Sequence, residues 1–270
     1  MNIYAGLILC GAAALYLASW LQSMLRKPED RSGVWGVELT PDRIMGAALA
    51  LHTLFLFVHA ATQHRCPTTY SYEAIIFLCW CIALVYYFVS FSFTVPWLAK
   101  YVTPIIVALF VVAFVGMLSV PAAHDVEKGW RIKLHVVSLL LAYSFFLVSF
   151  ISGVLYLFKE KAMKLQRPSH RLPPLELLDK VNLWTLVIGF PIMTFGLFVG
   201  LLLAQANPKL GSWMLEKKVI FVTVSWAMYG IVLHLRLMSH YRGRRVIILT
   251  VVSFCFLLLS LIGTQWHYFK

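Results

Sequence analysis

The sequence predicts an all-α integral membrane protein, a bundle of about eight transmembrane helices in a single polytopic domain spanning residues 1–270. Of the 270 residues, 61% are hydrophobic and only 13% are charged, and the mean hydropathy is +0.81. Soluble domains have about 25% charged residues, because their surface must be hydrated. The apolar residues fall into eight segments, each long enough to cross a hydrocarbon core of about 30 Å. The short connections between them leave no room for a large soluble domain.

Each apolar segment is predicted to be a helix, because backbone groups in lipid must be hydrogen-bonded within the segment. The first segment follows an N-terminus without a basic region or a clear cleavage site, so we expect a retained helix. The sixth is rich in glycine, and small residues allow helices to approach closely. The predicted helices, in chain order, cover residues 3–25, 43–61, 73–93, 101–120, 133–158, 181–204, 218–238 and 245–264.

The distribution of Lys and Arg predicts the orientation of this bundle, because cytoplasmic loops carry an excess of both. Fifteen Lys and Arg residues lie on the side of the membrane that holds the connections after helices 1, 3, 5 and 7. The other eight lie on the opposite side. Both termini are therefore predicted to be extracytoplasmic. We interpret the net charge of +12 as loop charge, so no nucleic-acid partner is expected. The basic linker 159–180 is expected to contact membrane lipids.

Two pairs of histidines lie at matching depths in this topology. Histidine inside a membrane segment is costly, and it usually faces the bundle interior with a partner or ligand. His135 begins the fifth helix on the outer side, and His267 follows the eighth helix on the same side. His52 lies within the second helix, and His234 lies in the inner half of the seventh. We expect an outer pair, His135 with His267, and an inner pair, His52 with His234.

Paired imidazoles in an apolar bundle are typical of haem binding, because haem iron takes axial ligands on both faces of an apolar disc. Interfacial or hydrogen-bonded core histidines fit the same residues. Trp213 is either an interfacial anchor or part of a shelf for a flat apolar ligand. Glu73 either caps the third helix or meets a histidine. His59 lies on the same helix face as His52, so it is placed to line the same cavity.

Four stretches of the chain resemble the cytochrome c assembly proteins of the CcsA/CcmC type, and more closely their HemX-like relatives. The first includes Leu-His-Thr-Leu around His52, and the last includes Leu-His-Leu-Arg around His234. The resemblance covers residues 45–270. The first stretch is residues 51–54 with 71–80, and the second is residues 134–136 with 142–143 and 153–156. The third is residues 188–200, and the fourth is residues 226–236.

This resemblance implies a haem-handling protein of cytochrome c biogenesis in the bacterial cytoplasmic membrane. It implies that His135 and His267 ligate haem iron beside an outer tryptophan-rich loop, with His52 and His234 as membrane histidines. Trp213 and Glu73 are the further residues expected to bind the cofactor, haem b. The expected partners are haem and either another cytochrome c biogenesis membrane protein or an apocytochrome c.

The loop of residues 207–218 departs from the family's tryptophan-rich pattern, since Trp213 is its single tryptophan. Independent catalysis is therefore not expected. Two alternatives within the family stay open, a HemX-type regulator of haem biosynthesis and a component of a cytochrome c haem lyase. The alternative outside the family is a small-solute transporter, although no inverted repeat is visible in the sequence.

Overall fold

The computed structural model describes residues 3–25, 40–63, 68, 70–118, 129–166, 172–205, 217–238 and 243–262. Within these ranges the chain forms eight α-helices and no strand, and all eight are long and apolar enough to cross a membrane. The predicted all-α membrane fold is confirmed, whereas the side on which the termini lie stays a prediction. The helices are α1 (Ile3–Leu25), α2 (Pro41–Gln63), α3 (Ser71–Ser92), α4 (Pro96–Leu118), α5 (Trp130–Lys164), α6 (Leu175–Gln205), α7 (Lys217–Leu237) and α8 (Arg244–Ile262).

Several helices extend beyond the apolar segments that predict them. Helix α5 continues six residues past its predicted end, and α6 begins six residues before its predicted start. Hydropathy marks only the part of a helix that lies in hydrocarbon, whereas the backbone hydrogen bonds continue into the polar region. Ion pairs four residues apart support these polar turns, with nitrogen–oxygen distances of 2.8 Å for Lys164–Glu160 and 2.7 Å for Lys180–Glu176.

The helices group into two compact units, residues Met1–Glu127 and Lys128–Lys270, called here the N-terminal and C-terminal units. In the N-terminal unit, α1 packs against α2 and α4, and α3 packs against α4. Its largest buried side chains include Tyr16, Met45 and Tyr86. The single domain expected for residues 1–270 stays a prediction.

The C-terminal unit is built on the long pair α5 and α6, with α8 against α5 and α7 against α8. Phe146 of α5 stacks on Tyr229 of α7 with ring centroids 4.1 Å apart, and both rings are buried. The glycines of α6 allow α5 to approach closely, as the sequence predicts. A methyl group at Gly196 would lie 2.8 Å from Ser138 Oγ, so this crossing has no room for a side chain.

Candidate functional site

His52 is completely buried in the N-terminal unit, at the meeting point of three helices. Its Nδ1 lies 3.5 Å from the Tyr16 hydroxyl of α1, and its ring lies 5.3 Å from that of Phe110 of α4. Its Nε2 makes no hydrogen bond to any described residue. Most buried polar groups are hydrogen-bonded, so an imidazole nitrogen left over in an apolar core is available to a ligand.

His59, on the same face of α2 as His52, forms a buried hydrogen bond with Glu73 of α3. His59 Nε2 lies 3.1 Å from Glu73 Oε1, and both side chains are buried. The second carboxylate oxygen of Glu73 accepts a hydrogen bond from the Tyr70 backbone N–H at 3.2 Å, where α3 begins. Both roles that the sequence left open for Glu73, helix cap and histidine partner, therefore occur together. His59 Nδ1 is buried and makes no hydrogen bond within the described ranges.

These contacts place a row of polar groups within the N-terminal unit. His52 and His59 are seven residues apart, which is about 10.5 Å along a helix axis. The ring of Phe55 lies between them, 6.2 Å from His52 and 5.4 Å from His59. Sequence reasoning found the histidines and Glu73 but missed Tyr16, because a tyrosine in an apolar segment gives no sign of facing a histidine on another helix.

His135 lies near the start of α5 in the C-terminal unit, half-buried against α6. Its Nδ1 lies 2.7 Å from the Gly196 carbonyl oxygen. A carbonyl can only accept, so Nδ1 carries the proton, and in the neutral ring the lone pair is on Nε2. Gly200 is part of this contact, since a methyl group there would lie 2.5 Å from His135 Cε1. The glycine-rich helix thus sets both the position and the tautomer of this imidazole.

His234 lies on the exposed surface of α7. Two residues further along the helix, Arg236 is buried and forms an ion pair with Asp179 of α6. Residues two apart on a helix point in different directions, so Arg236 faces the unit's interior and His234 does not. The predicted inner pair takes one histidine from each unit, and it stays a prediction.

The other members of the predicted outer site, His267 and Trp213, lie outside the described residues. The pairing of His135 with His267 and the role of Trp213 therefore stay predictions.

The described histidines occur singly rather than in clusters. Within the described part of the chain, no group of three or more His, Cys, Asp or Glu side chains is placed to hold a metal ion. Bare zinc sites need three or four protein ligands, whereas haem iron is already held by four porphyrin nitrogens and needs only axial ligands. Isolated imidazoles such as His52 and His135 are of the kind that serves as an axial ligand to haem iron.

Asn182 and Ser149 form a polar clamp between α5 and α6 that sequence reasoning missed. Asn182 Nδ2 donates to the Ser149 carbonyl oxygen at 2.7 Å and to its Oγ at 2.9 Å. The Ser149 hydroxyl is 3.1 Å from the Asn182 carbonyl oxygen. An asparagine within an apolar segment is the feature that would have indicated it, because such a residue needs a partner in another helix.

The eight apolar helices define a multi-pass helical membrane protein, with two of its described histidines, His52 and His59, buried among them. Residues 69–268 match the cytochrome C assembly protein family, and the chain belongs to that family. The predicted family is confirmed, whereas the HemX-like branch stays a prediction.

Known relatives match most of the chain. It is similar to the cytochrome c biogenesis protein CcsA of Mesostigma viride, with 24% identity over 80% of this chain and 81% of that protein. The corresponding protein of Chlamydomonas reinhardtii is 26% identical, over 84% of this chain and 67% of its own length. That of Parasynechococcus marenigrum is 25% identical, over 94% of this chain and 90% of its own length.

Proposed function

We propose that this protein handles haem during cytochrome c biogenesis in the bacterial cytoplasmic membrane, and that it presents haem b at the outer face. In this proposal His135 and His267 ligate the iron at the outer face, and His52 and His234 are ligands within the membrane. Trp213 supports the flat ring. The function consists of binding and presentation rather than bond chemistry.

The geometry of His135 is the observation that carries this proposal. Histidines that bind metals almost always donate their second ring N–H to a carbonyl or carboxylate, which fixes the tautomer and orients the ring. The bond from His135 Nδ1 to the Gly196 carbonyl oxygen is of this kind. It leaves the lone pair on Nε2, which would be the nitrogen that holds the iron. Bound haem would supply that iron and a large apolar surface.

His52 gives independent support from the N-terminal unit. Its Nε2 is buried and makes no hydrogen bond among the described residues. In the tautomer whose Nδ1–H donates a hydrogen bond to the Tyr16 hydroxyl, 3.5 Å away, the lone pair is on Nε2. The residues present therefore fit an axial ligand to haem.

Absorption spectra of purified variants test the ligand assignment. We expect His135→Ala and His267→Ala each to lower the haem-to-protein ratio or to convert a six-coordinate spectrum to a five-coordinate one. His52→Ala with His234→Ala tests the inner pair in the same way. His240→Ala, in a basic loop predicted to be cytoplasmic, is the matched control and should leave the spectrum unchanged. Unchanged haem content and spectrum in the His135→Ala/His267→Ala variant would contradict the outer pair. A protein that binds no haem would favour the small-solute transporter.

The single tryptophan of loop 207–218 favours handling over attachment. A lyase must hold haem with its vinyl edge open to a thiol-bearing peptide, and each lost aromatic contact costs about 0.5–1.5 kcal/mol. The loss of several such contacts weakens a presentation site about tenfold or more, at 1.4 kcal/mol per decade. A HemX-type regulator of haem biosynthesis is consistent with such a loop.

Co-expression with a c-type apocytochrome, in a host without its own maturation system, separates handling from attachment. We expect no covalent haem on the reporter when this chain is the only assembly protein present. Covalent haem that depends on this chain alone would show that it is a working lyase.

A further inference from the structure

The C-terminal unit contains a groove between α5 and α8 that plays no part in the proposed haem sites. It encloses about 420 Å³. One part of its lining is apolar and consists of Val154, Leu157 and Phe158 of α5 with Ile248 of α8. Phe158 is 62% exposed and Ile248 is 39% exposed. The groove therefore offers apolar side chains to whatever surrounds the helices.

The other part of the lining is charged and consists of Glu160, Lys161, Lys164 and Arg244. Glu160 holds two of the cations, with Lys164 Nζ at 2.8 Å and Arg244 Nε at 4.0 Å. Three positive charges against one negative charge leave the rim at +2. Lys161, Lys164 and Arg244 are all exposed, so their remaining donors are accessible to an anion.

Along the helices, the charged rim and the apolar wall follow one another in the same order as the headgroup and the acyl chains of a phospholipid. Along α5 the apolar residues Val154, Leu157 and Phe158 come first, and the charged turn from Glu160 to Lys164 follows at the helix end. Arg244 lies in the first turn of α8, where the helix dipole also favours an anion. Ile248, one turn further along α8, continues the apolar wall.

We propose that this groove binds an anionic phospholipid, with the phosphate at Lys161, Lys164 and Arg244 and an acyl chain along the apolar wall. Charge complementarity favours this occupant, because the rim carries +2 and Arg and Lys are the usual phosphate ligands. The apolar wall distinguishes a lipid from a free phosphate ion, which would gain nothing from Phe158 or Ile248. Glu160 positions two of the cations.

Native mass spectrometry of the purified protein tests the charged rim. With matched acyl chains, we expect phosphatidylglycerol to be retained and phosphatidylcholine to be lost. Lys161→Gln, Lys164→Gln and Arg244→Gln should each weaken phosphatidylglycerol binding about five-fold, which corresponds to about 1 kcal/mol per charge. Lys180→Gln is the matched control, because Lys180 forms the same kind of exposed pair with Glu176 but does not line the groove. Equal retention of both lipids, or equal losses in Lys180→Gln, would overturn the proposal.

The apolar wall is tested by filling the groove without changing its charge. Ile248→Trp should lower phosphatidylglycerol occupancy several-fold. Val252→Trp, four residues further along α8 at a position that is 38% exposed and outside the lining, should not. Inorganic phosphate at millimolar concentration should fail to displace the lipid. Displacement by phosphate, or unchanged occupancy in Ile248→Trp, would show that only surface charge attracts the lipid and would overturn the proposal.

Discussion

At the scale of single residues, the pair His59–Glu73 is a buried polar contact between two helices of the N-terminal unit. The carboxylate reaches His59 through one oxygen and the backbone of Tyr70 through the other. It thereby ties α2 to the first turn of α3 across the connection between them. Neither side chain is exposed, so loss of Glu73 leaves the His59 imidazole buried without this carboxylate.

We predict that Glu73→Ala lowers the free energy of unfolding by about 2 kcal/mol, because it leaves the buried His59 imidazole without its hydrogen-bond partner. The midpoint of thermal unfolding in detergent measures this change. Glu176→Ala is the control, because Glu176 forms an exposed pair with Lys180 and exposed pairs contribute about 0–1 kcal/mol. Equal shifts in the two variants would contradict a structural role for the buried pair.

At the scale of elements, the association of α5 with α6 depends on close packing and on polar contacts between the helices. Lipid chains are as apolar as leucine, so the hydrophobic effect does not drive helices together within a bilayer. The glycines at 196 and 200 bring the backbones near each other. The clamp of Asn182 and Ser149 adds hydrogen bonds across the same interface.

Ser149→Ala should lower the free energy of unfolding by about 1 kcal/mol, as for other hydrogen bonds between membrane helices. Ser152→Ala is the matched control, since among the described residues this buried hydroxyl bonds only to the Val148 carbonyl oxygen of its own helix. Unfolding of both variants in the same detergent gives the comparison. A loss in Ser152→Ala as large as that in Ser149→Ala would show that the clamp contributes nothing specific.

At the scale of the whole molecule, the distribution of positive charge predicts the membrane topology. The fifteen-to-eight division of Lys and Arg predicts that loop 207–218 lies outside and that the linker near Ser169 lies in the cytoplasm. Haem presentation at the outer face requires this orientation, because His135 lies near the start of α5, which follows a connection predicted to be outer.

Labelling of single cysteines with an impermeant thiol reagent measures the orientation. In a background without the five native cysteines, Ser212→Cys should react in intact cells and Ser169→Cys only after the membrane is opened. The two variants are each other's control, since both place a thiol in a connection between helices. The reverse pattern would contradict the topology and, with it, the outer pair of His135 and His267.

The number and order of the helices could be predicted from the sequence alone. An apolar run of about 20 residues has few structural options in a bilayer, so composition determines the fold class. The helical period of 3.6 residues also predicts that His52 and His59 share a face, and both are buried. The helix ends were less accurate, because hydropathy does not report the polar turns at the ends of α5 and α6.

Only the tertiary structure decided which side chains meet across helices. Tyr16 faces His52 from 36 residues away, and Arg236 pairs with Asp179 from 57 residues away. Such contacts depend on how far each helix is rotated about its axis and shifted along it. An apolar run leaves both quantities free, because lipid accepts any apolar face equally. Packing against neighbouring helices sets them, and so it decides that Gly196 orients His135 and that Arg236, rather than His234, faces the interior of the C-terminal unit.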